Sequence, residues 1–337
     1  MAFVDIAQTP AELQRVFRAL GLARAGETPR VTALAGGVSS GIWRIDMASG
    51  TYCLKQALPQ LKVAKVWQVP VERVFAEIAW LRAAIDIVPG HVPRVLGQDD
   101  ATRCFVMEFL AGDHVNWKSE LLGGRVDAEV ARVVGDIIGR VHAASADSAD
   151  MARRFANDDN FHALRLEPYL LETARVHPAL APRLHALVTR TQNTRRALVH
   201  GDLSPKNILV GPRGPVLLDA ECACYGDPAF DLAFCLNHLL LKAAWMPHAM
   251  PELMASFVTL TTAYFAQAGF EPADLLEARI ATLLPALTLA RVDGKSPVEY
   301  LDRAARLRVR AAAIALLRRS PECLAELCRF WTEEFSP

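Results

Sequence analysis

Several polar side chains in the middle of the chain stand at the ends of apolar runs. Asp202 follows a run that ends at Val199, Asn207 lies five residues later, and Asp219 and Glu221 follow the next runs. Phosphoryl transfer from Mg-ATP needs such a set, because a carboxylate must deprotonate the acceptor hydroxyl while an Asn and an acid hold the metal ions. The spacing predicts Asp202 as catalytic base and Asn207 and Asp219 as Mg²⁺ ligands.

Glu221 is predicted as an additional or water-mediated metal ligand. Two residues apart on a strand, Asp219 and Glu221 would point to the same side and face one metal site. The alternative interpretation of the whole stretch is a polar hairpin turn followed by an acidic loop. The joint occurrence of acid, amide and second acid favours the catalytic interpretation.

A glycine- and serine-rich turn at residues 36–41 precedes a predicted strand. Glycine and serine allow backbone amides to approach phosphate oxygens closely. Ser39, Ser40 and Gly41 are therefore candidate nucleotide contacts. An ordinary hairpin turn is the alternative.

Lys55 lies in the next predicted strand, residues 51–56. A lysine in this position can contact the α- and β-phosphates of ATP if an acid on a helix holds it. The predicted helix, residues 69–84, offers Glu72 and Glu77. The alternative is a solvated surface lysine.

Length, charge and cysteine content limit the class of protein. The 337 residues can form two lobes with a large core, and the 37 basic residues (Lys and Arg) balance the 37 acidic ones. A balanced charge argues against nucleic acid or an anionic membrane as a partner. No apolar run reaches membrane-spanning length, and the first five residues do not resemble a signal peptide. The seven cysteines form no zinc-like pattern, so a cytoplasmic protein is expected, with its oligomeric state open.

The sequence from His200 to Asn207, His-Gly-Asp-Leu-Ser-Pro-Lys-Asn, with Asp219-Ala220-Glu221, resembles the aminoglycoside phosphotransferase and choline kinase-like superfamily. These are small-molecule kinases with a protein-kinase-like fold. The resemblance implies the same roles for Asp202, Asn207 and Asp219. Protein kinases have His-Arg-Asp where this chain has His200-Gly201-Asp202, and Asp-Phe-Gly where it has Asp219-Ala220-Glu221. Both differences argue against a protein kinase.

The resemblance implies further roles. Glu77 is preferred to Glu72 as the partner of Lys55, because its spacing to the following Leu matches the pairing helix of the family. The segment from Glu108 to Leu110 resembles the hinge whose main chain binds adenine, and ATP is the expected nucleotide. Asp231 is expected to brace the catalytic loop from inside by accepting backbone N–H groups.

The predicted fold class is α+β, a bilobal protein-kinase-like fold. An N-lobe (residues 1–110) would contain a five-stranded antiparallel sheet and one pairing helix. A mostly helical C-lobe (residues 111–337) would contain the catalytic loop. Apolar spacing predicts an amphipathic helix at residues 127–144, and residues 232–245 are apolar nearly all round and hence buried. A capping box at residues 296–299 predicts a helix from there to residue 317.

The acceptor is expected to be the hydroxyl of a small molecule. The stretch around Lys55, and Trp117-Lys118, resemble methylthioribose kinases, so a ribose-type sugar is the leading prediction. An aminoglycoside phosphotransferase is an alternative, compatible with Asp158, Asp159 and Glu167. A nucleotide-binding pseudokinase scaffold is a third, although a scaffold has no need of a base and metal ligands together.

Overall fold

A computed structural model describes residues 4–24, 26–34, 39–60, 70–110 and 112–336. The chain divides into two compact units, Met1–His114 and Val115–Pro337, a few residues after the predicted boundary. Each unit has its own sheet structure. The predicted α+β class, with an antiparallel sheet and a mostly helical second part, is confirmed.

The first unit is built on an antiparallel sheet of five described strands in the order β1-β2-β3-β5-β4. Register places Lys55 between Ile42 and Phe105 in the centre of the sheet. The strands are β1 (Arg30–Ala33), β2 (Ser40–Met47), β3 (Gly50–Ala57), β4 (Val95–Asp99) and β5 (Cys104–Glu108).

Two helices accompany this sheet. The short helix α1 (Pro10–Ala19) begins with proline at its first position, which suits a residue without a backbone N–H, and packs Leu13 and Phe17 into a core with Leu54. The helix α2 (Arg73–Ile87) begins four residues after the predicted start, and its buried residues include Glu77. The predicted turn at residues 36–38 lies outside the described residues.

The second unit contains short strands around the catalytic loop. A two-stranded ladder joins β7 (Ala197–Val199) to β10 (Cys224–Gly226), and a second ladder has the order β6-β8-β9. Its strands are β6 (Val115–Asn116), β8 (Ile208–Gly211) and β9 (Gly214–Leu217). The catalytic loop, residues 200–207, connects β7 to β8.

The remainder of the second unit is helical, and the predicted amphipathic helix is confirmed as α4. Asp127 caps α4 by accepting the N–H of Glu129 at 2.8 Å. The buried helix predicted over residues 232–245 is confirmed as part of α9. The helices are α3 (Trp117–Leu122), α4 (Ala128–Ser145), α5 (Ala149–Arg154), α6 (Asp158–Phe161), α7 (Glu172–Val176), α8 (Ala181–Asn193), α9 (Ala229–Trp245), α10 (Met250–Phe265), α11 (Ala273–Asp293), α12 (Arg303–Arg319) and α13 (Leu324–Phe335), with a π-helical segment at His162–Leu171.

Two sequence predictions about secondary structure are wrong. Asp219 and Glu221 do not lie on a strand, because β9 ends at Leu217 and Asp219 takes a left-handed φ of 68°. The capping box at residues 296–299 starts no helix. Instead α12 begins at Arg303, where the Asp302 carboxylate accepts the N–H of Ala305 at 2.7 Å.

Within the described ranges, none of the helices is both long enough and apolar enough to span a bilayer.

Candidate active site

A buried carboxylate holds the catalytic loop from beneath. Asp231 on α9 accepts the N–H of His200 at 2.7 Å and that of Gly201 at 2.8 Å. His142 on α4 lies 3.2 Å from the same carboxylate and 3.0 Å from the Tyr264 hydroxyl. Because buried backbone donors need partners, this network fixes the loop to three helices of the second unit, α4, α9 and α10. The predicted bracing role of Asp231 is confirmed.

Gly201 is required by its surroundings. Its φ is +76°, and a Cβ added there would lie 2.4 Å from the Cys222 carbonyl oxygen. Any other residue would meet both the left-handed backbone strain and that backbone atom. The loop can therefore make its turn into Asp202 only with glycine at this position.

Gly201→Ala is expected to destabilise the fold by several kcal/mol and to abolish turnover. The left-handed conformation costs about 1–2 kcal/mol for a residue with a Cβ, and the clash with Cys222 adds to it. Gly124 is the matched control, since its φ is also +76° and nothing lies within 4 Å of its added Cβ. Urea unfolding of both variants checks this; equal losses would show that the Cys222 contact has no effect.

His200 orients the loop rather than acting as a base. Its Nε2 lies 3.1 Å from the Leu218 carbonyl oxygen, and its Nδ1 accepts the N–H of Asp202 at 3.2 Å. This pattern requires the tautomer with the proton on Nε2. Burial lowers the pKa of His200, although Asp231 and Asp202 oppose that shift. The neutral imidazole thus joins the loop to the segment that carries Asp219.

The Asp202 carboxylate is buried among three donors. Oδ1 lies 2.8 Å from an Arg165 guanidinium nitrogen, and Oδ2 lies 3.1 Å from Lys206 Nζ and accepts from Asn207 Nδ2 at 2.8 Å. An ionised carboxylate offers about four lone-pair sites. Oδ2 accepts the hydrogen bond of Asn207, whereas Oδ1, although ion-paired with Arg165, accepts no hydrogen bond among the described residues, so Oδ1 is available for the proton of an acceptor hydroxyl. The arrangement suits a general base held in one orientation.

Arg165 makes two contacts with the catalytic loop. Besides its ion pair with Asp202, its Nε donates to the Gly201 carbonyl oxygen at 2.6 Å. It projects from the π-helical segment and packs between the rings of Tyr169 and Phe234. Rare π-helical turns are frequent at functional sites. Nothing in the sequence indicated that Arg165, rather than one of its polar neighbours, would contact the catalytic loop.

The candidate metal ligands are joined through the main chain. Asn207 donates its amide to Asp202 and accepts the N–H of Leu218 on its own carbonyl oxygen at 2.9 Å, which brings it beside the segment of Asp219. Its side-chain oxygen does not take part in these bonds. Amide and carboxylate oxygens are the donors that Mg²⁺ prefers, so Asn207 and Asp219 fit a magnesium site. The part of the chain that is described holds no cluster of three His, Cys, Asp or Glu side chains with metal-binding geometry.

Glu221 lies on the turn that follows Asp219. It is buried, and its carbonyl oxygen accepts from the Asn160 amide at 2.8 Å. The prediction that Asp219 and Glu221 point to the same side assumed a strand, but the backbone at Asp219 is left-handed. Its role as a metal ligand stays a prediction.

In the first unit, Lys55 and Glu77 form a buried ion pair. Lys55 Nζ lies 2.7 Å from one Glu77 oxygen and 2.8 Å from the other, and both side chains are at most 3% exposed. Glu72 instead lies just before α2, 59% exposed, and 3.5 Å from Arg103. The preference for Glu77 as the partner of Lys55 is confirmed, and the ATP contact stays a prediction.

The start of β2 holds the other nucleotide candidates. Ser39 and Ser40 are buried, and the Ser39 carbonyl oxygen accepts from Arg73 and from the N–H of Leu58. A Cβ on Gly41 would meet the Trp43 ring at 2.1 Å. Glycine is thus needed there for packing, and a phosphate contact by these residues stays a prediction.

The hinge candidate begins at the end of β5. The N–H of Glu108 already donates to the Arg94 carbonyl oxygen at 3.0 Å, and its carboxylate accepts the N–H of Arg94 at 3.1 Å. That N–H is therefore not available to adenine. If the segment binds adenine, the Glu108 carbonyl oxygen and main-chain groups as far as Leu110 must do it.

Comparison with known families decides the assignment. Residues 30–270, more than half of the chain, match the model of the phosphotransferase enzyme family, APH. The chain belongs to this family. The match includes the Lys55–Glu77 pair, the catalytic loop and the predicted metal ligands of this APH-family protein.

Among curated relatives, the chain is 27% identical over 231 residues to a methylthioribose kinase of Erwinia tasmaniensis, and 27% identical over 237 residues to one of Yersinia enterocolitica. The first alignment covers 60% of this chain and 57% of that relative, and the second 61% and 58%. The APH-family chain thus aligns with little more than half the length of these relatives.

Solved structures share the fold at low identity. The amicoumacin kinase hAmiN, in complex with AMP-PNP, Ca²⁺ and Ami, has a TM-score of 0.54 at 16% identity and covers 94% of this chain and 97% of its own. An ethanolamine kinase of Plasmodium vivax has a TM-score of 0.53 at 12% identity, covering 96% and 86%. These similarities establish the fold of the APH-family protein.

Proposed function

We propose that the chain is an ATP-dependent small-molecule kinase that transfers the γ-phosphoryl group of Mg-ATP to a hydroxyl group. The observation that carries this proposal is the buried Asp202 carboxylate, oriented by Arg165 and Asn207, whose Oδ1 accepts no hydrogen bond among the described residues. Membership of the phosphotransferase enzyme family supports the same reaction class.

The contacts of Asp202 suggest how the phosphoryl group would be transferred. Its carboxylate accepts the proton of the acceptor hydroxyl as the acceptor oxygen forms a bond to the γ-phosphorus. The bond from the γ-phosphorus to the β,γ-bridging oxygen breaks, and ADP leaves with that oxygen. Arg165 and Lys206 hold the carboxylate in place from two sides.

Two further sets of residues would handle the nucleotide. Asn207 and Asp219, with Glu221 as the additional candidate, would hold Mg²⁺, which neutralises the phosphate charge when bound. Lys55, fixed by Glu77, would contact the α- and β-phosphates, and the main chain of Ser39, Ser40 and Gly41 would approach them. The hinge segment would bind the adenine edge.

A ribose-type sugar is the acceptor that we propose, and methylthioribose is the first compound to test. The support is the curated relatives named methylthioribose kinase and the similar residues around Lys55 and Lys118. Lys118 is the second residue of α3, which begins directly after Asn116. The side-chain amide of Asn116 donates to the Lys206 carbonyl oxygen at 2.7 Å. This bond holds the start of α3 against the catalytic loop.

The geometry does not favour an aminoglycoside. A polycationic substrate needs several unpaired acids. Of the three candidates, Asp158 pairs with Arg195 and Glu167 pairs with Arg175 and Lys295, so Asp159 alone has no ion pair among the described residues. A pseudokinase scaffold is likewise not favoured, because a scaffold has no need of an oriented carboxylate with an open acceptor oxygen beside candidate metal ligands.

The test is an ATP-turnover assay of the purified protein with Mg-ATP against sugars, amino alcohols and aminoglycosides. We expect a ribose-like sugar to raise ADP release well above the acceptor-free rate, with a phosphorylated sugar seen by mass spectrometry and no activity in excess EDTA. Stimulation by an aminoglycoside alone would make the protein an antibiotic kinase. Nucleotide binding with no stimulation by any acceptor would favour the scaffold.

A further inference from the structure

A small cavity in the second unit lies against the catalytic loop. Its wall includes Lys206 of the loop, Lys242 of α9, Arg291 of α11, Lys118 of α3 and Tyr300 from the segment before α12. We call it the cationic pocket. Its cavity volume of about 20 Å³ is far smaller than a typical site for a drug-sized ligand, so it suits only one small chemical group of a larger molecule.

Lys242 is an unusual residue for its place in the fold. It stands in the apolar helix α9, its side chain is fully buried, and its Nζ has no hydrogen-bond partner among the described residues. The Nζ lies 5.2 Å from the centroid of the Tyr300 ring, whose buried hydroxyl also has no partner in the described part of the chain. A charged ammonium group buried without an anion costs several kcal/mol or more, above the cost of a neutral polar group left unpaired in the interior.

The charges around Lys242 make an anion the missing component. Burial and the nearby cations Lys118 and Arg291 lower the pKa of Lys242 to about 7. Glu299, the acid at the rim, is already paired with Lys118. Burial and Arg291 also lower the pKa of His238 well below its usual range, so that side chain supplies a neutral surface.

The rest of the pocket has the form of a built anion site. Arg291 is held by its contacts with Ser296 and, at 3.3 Å, with the Tyr169 hydroxyl. Lys206 connects the pocket to Asp202 at 3.1 Å. A group bound in the pocket therefore lies against the catalytic loop, with Lys206 between it and Asp202.

We propose that the cationic pocket binds an anionic group, a carboxylate or a phosphate, of the hydroxyl-bearing acceptor, with Lys242 as its central contact. The proposal rests on the proposed kinase function, and among ribose-type acceptors it favours one that carries an anionic group over neutral methylthioribose. It also gives a physical reason for a lysine in the middle of a buried helix, since the bound anion offsets the charge.

The first test measures anion binding without turnover. The full-length protein is saturated with Mg²⁺ and AMP-PNP, so that the nucleotide site is filled, and titrated with inorganic phosphate against chloride at equal ionic strength. We expect phosphate to raise the melting temperature of the wild type but not of Lys242→Met. The unliganded variant should melt above the unliganded wild type, because a buried unpaired charge has been removed.

Lys295→Met is the matched control. It removes the same charge from the same unit, but Lys295 already has a carboxylate partner, Glu167, at 2.7 Å. This variant should keep the full phosphate response. A wild type that responds to phosphate no more than to chloride, or a Lys242→Met that keeps the response, would overturn the proposal.

The second test separates the pocket from the kinase activity. Wild type and Lys242→Met are assayed with ribose, ribose 5-phosphate and ribonate, which present no anion, a phosphate and a carboxylate. We expect the wild type to prefer an anionic member by at least about tenfold in kcat/KM, equal to about 1.4 kcal/mol, and the variant to lose that preference while its rate with ribose is kept.

The outcomes distinguish the two proposals. Phosphorylation of ribose or methylthioribose with no anion preference and no effect of Lys242→Met would overturn the pocket assignment and leave the kinase function intact. Anion binding that depends on Lys242, without phosphorylation of any acceptor, would support the pocket and contradict the kinase function.

Discussion

Asp202→Asn is expected to lower kcat by about 10²–10⁴-fold while leaving ATP affinity nearly unchanged. The amide oxygen of the new side chain can still accept from Arg165 or Asn207, so the loop keeps its main contacts. It cannot accept a proton from the acceptor hydroxyl at neutral pH. Initial-rate kinetics with the acceptor found in the turnover screen, together with a nucleotide-binding titration, measure the two effects separately.

The control for Asp202→Asn is Asp274→Asn, which makes the same chemical change at an exposed acid of α11. Thermal unfolding of both variants shows whether the Arg165 cation is left without sufficient partners. A kcat within about threefold of the wild type for a folded Asp202→Asn would remove Asp202 as general base, since a positioned base contributes far more.

Lys55→Met is expected to lower the free energy of unfolding by about 3–5 kcal/mol and turnover by about 10²-fold. The stability effect arises because Glu77 is left as a buried charge without its 2.7 Å partner. The activity effect arises because a fixed cation no longer stabilises the phosphate charge. Urea unfolding and steady-state kinetics of the purified variant measure both losses.

The double variant Lys55→Met with Glu77→Leu distinguishes these two roles. Replacing both charges by apolar side chains of similar size should restore most of the lost stability, because no buried charge is left unpaired. Turnover should stay at the level of the single variant, since the phosphate contact is still missing. Recovery of activity together with stability would mean that the pair serves only the fold.

The sequence by itself determined which residues of the catalytic loop are candidates for the chemistry, and it determined much of the fold. Asp202, Asn207 and Asp219 lie within a short stretch whose order of acid, amide and acid is local. The amphipathic period of α4 and the apolar composition of α9 also depend on nearby residues, so these helices could be predicted. The sheet of the first unit followed from the family resemblance.

Contacts between distant segments required the structure. The family resemblance favoured Glu77 over Glu72, but the buried ion pair of Glu77 with Lys55, 22 residues earlier in the chain, is seen only in the folded protein. The left-handed backbone at Asp219 and the start of α12 at Arg303 were missed for a related reason. Local propensity is a weak guide where hydrogen bonds and packing to other segments decide the conformation.

Only the tertiary structure identified Arg165 and Lys242. Arg165 was one of several polar residues in its segment, and its ion pair with Asp202 joins positions far apart in the sequence. Lys242 was hidden in an apolar helix, where a lysine is usually expected to reach solvent. Lys242 is buried, and its Nζ has no partner among the described residues, because α9, α11 and Tyr300 pack around it. That packing cannot be read from the order of residues along the chain.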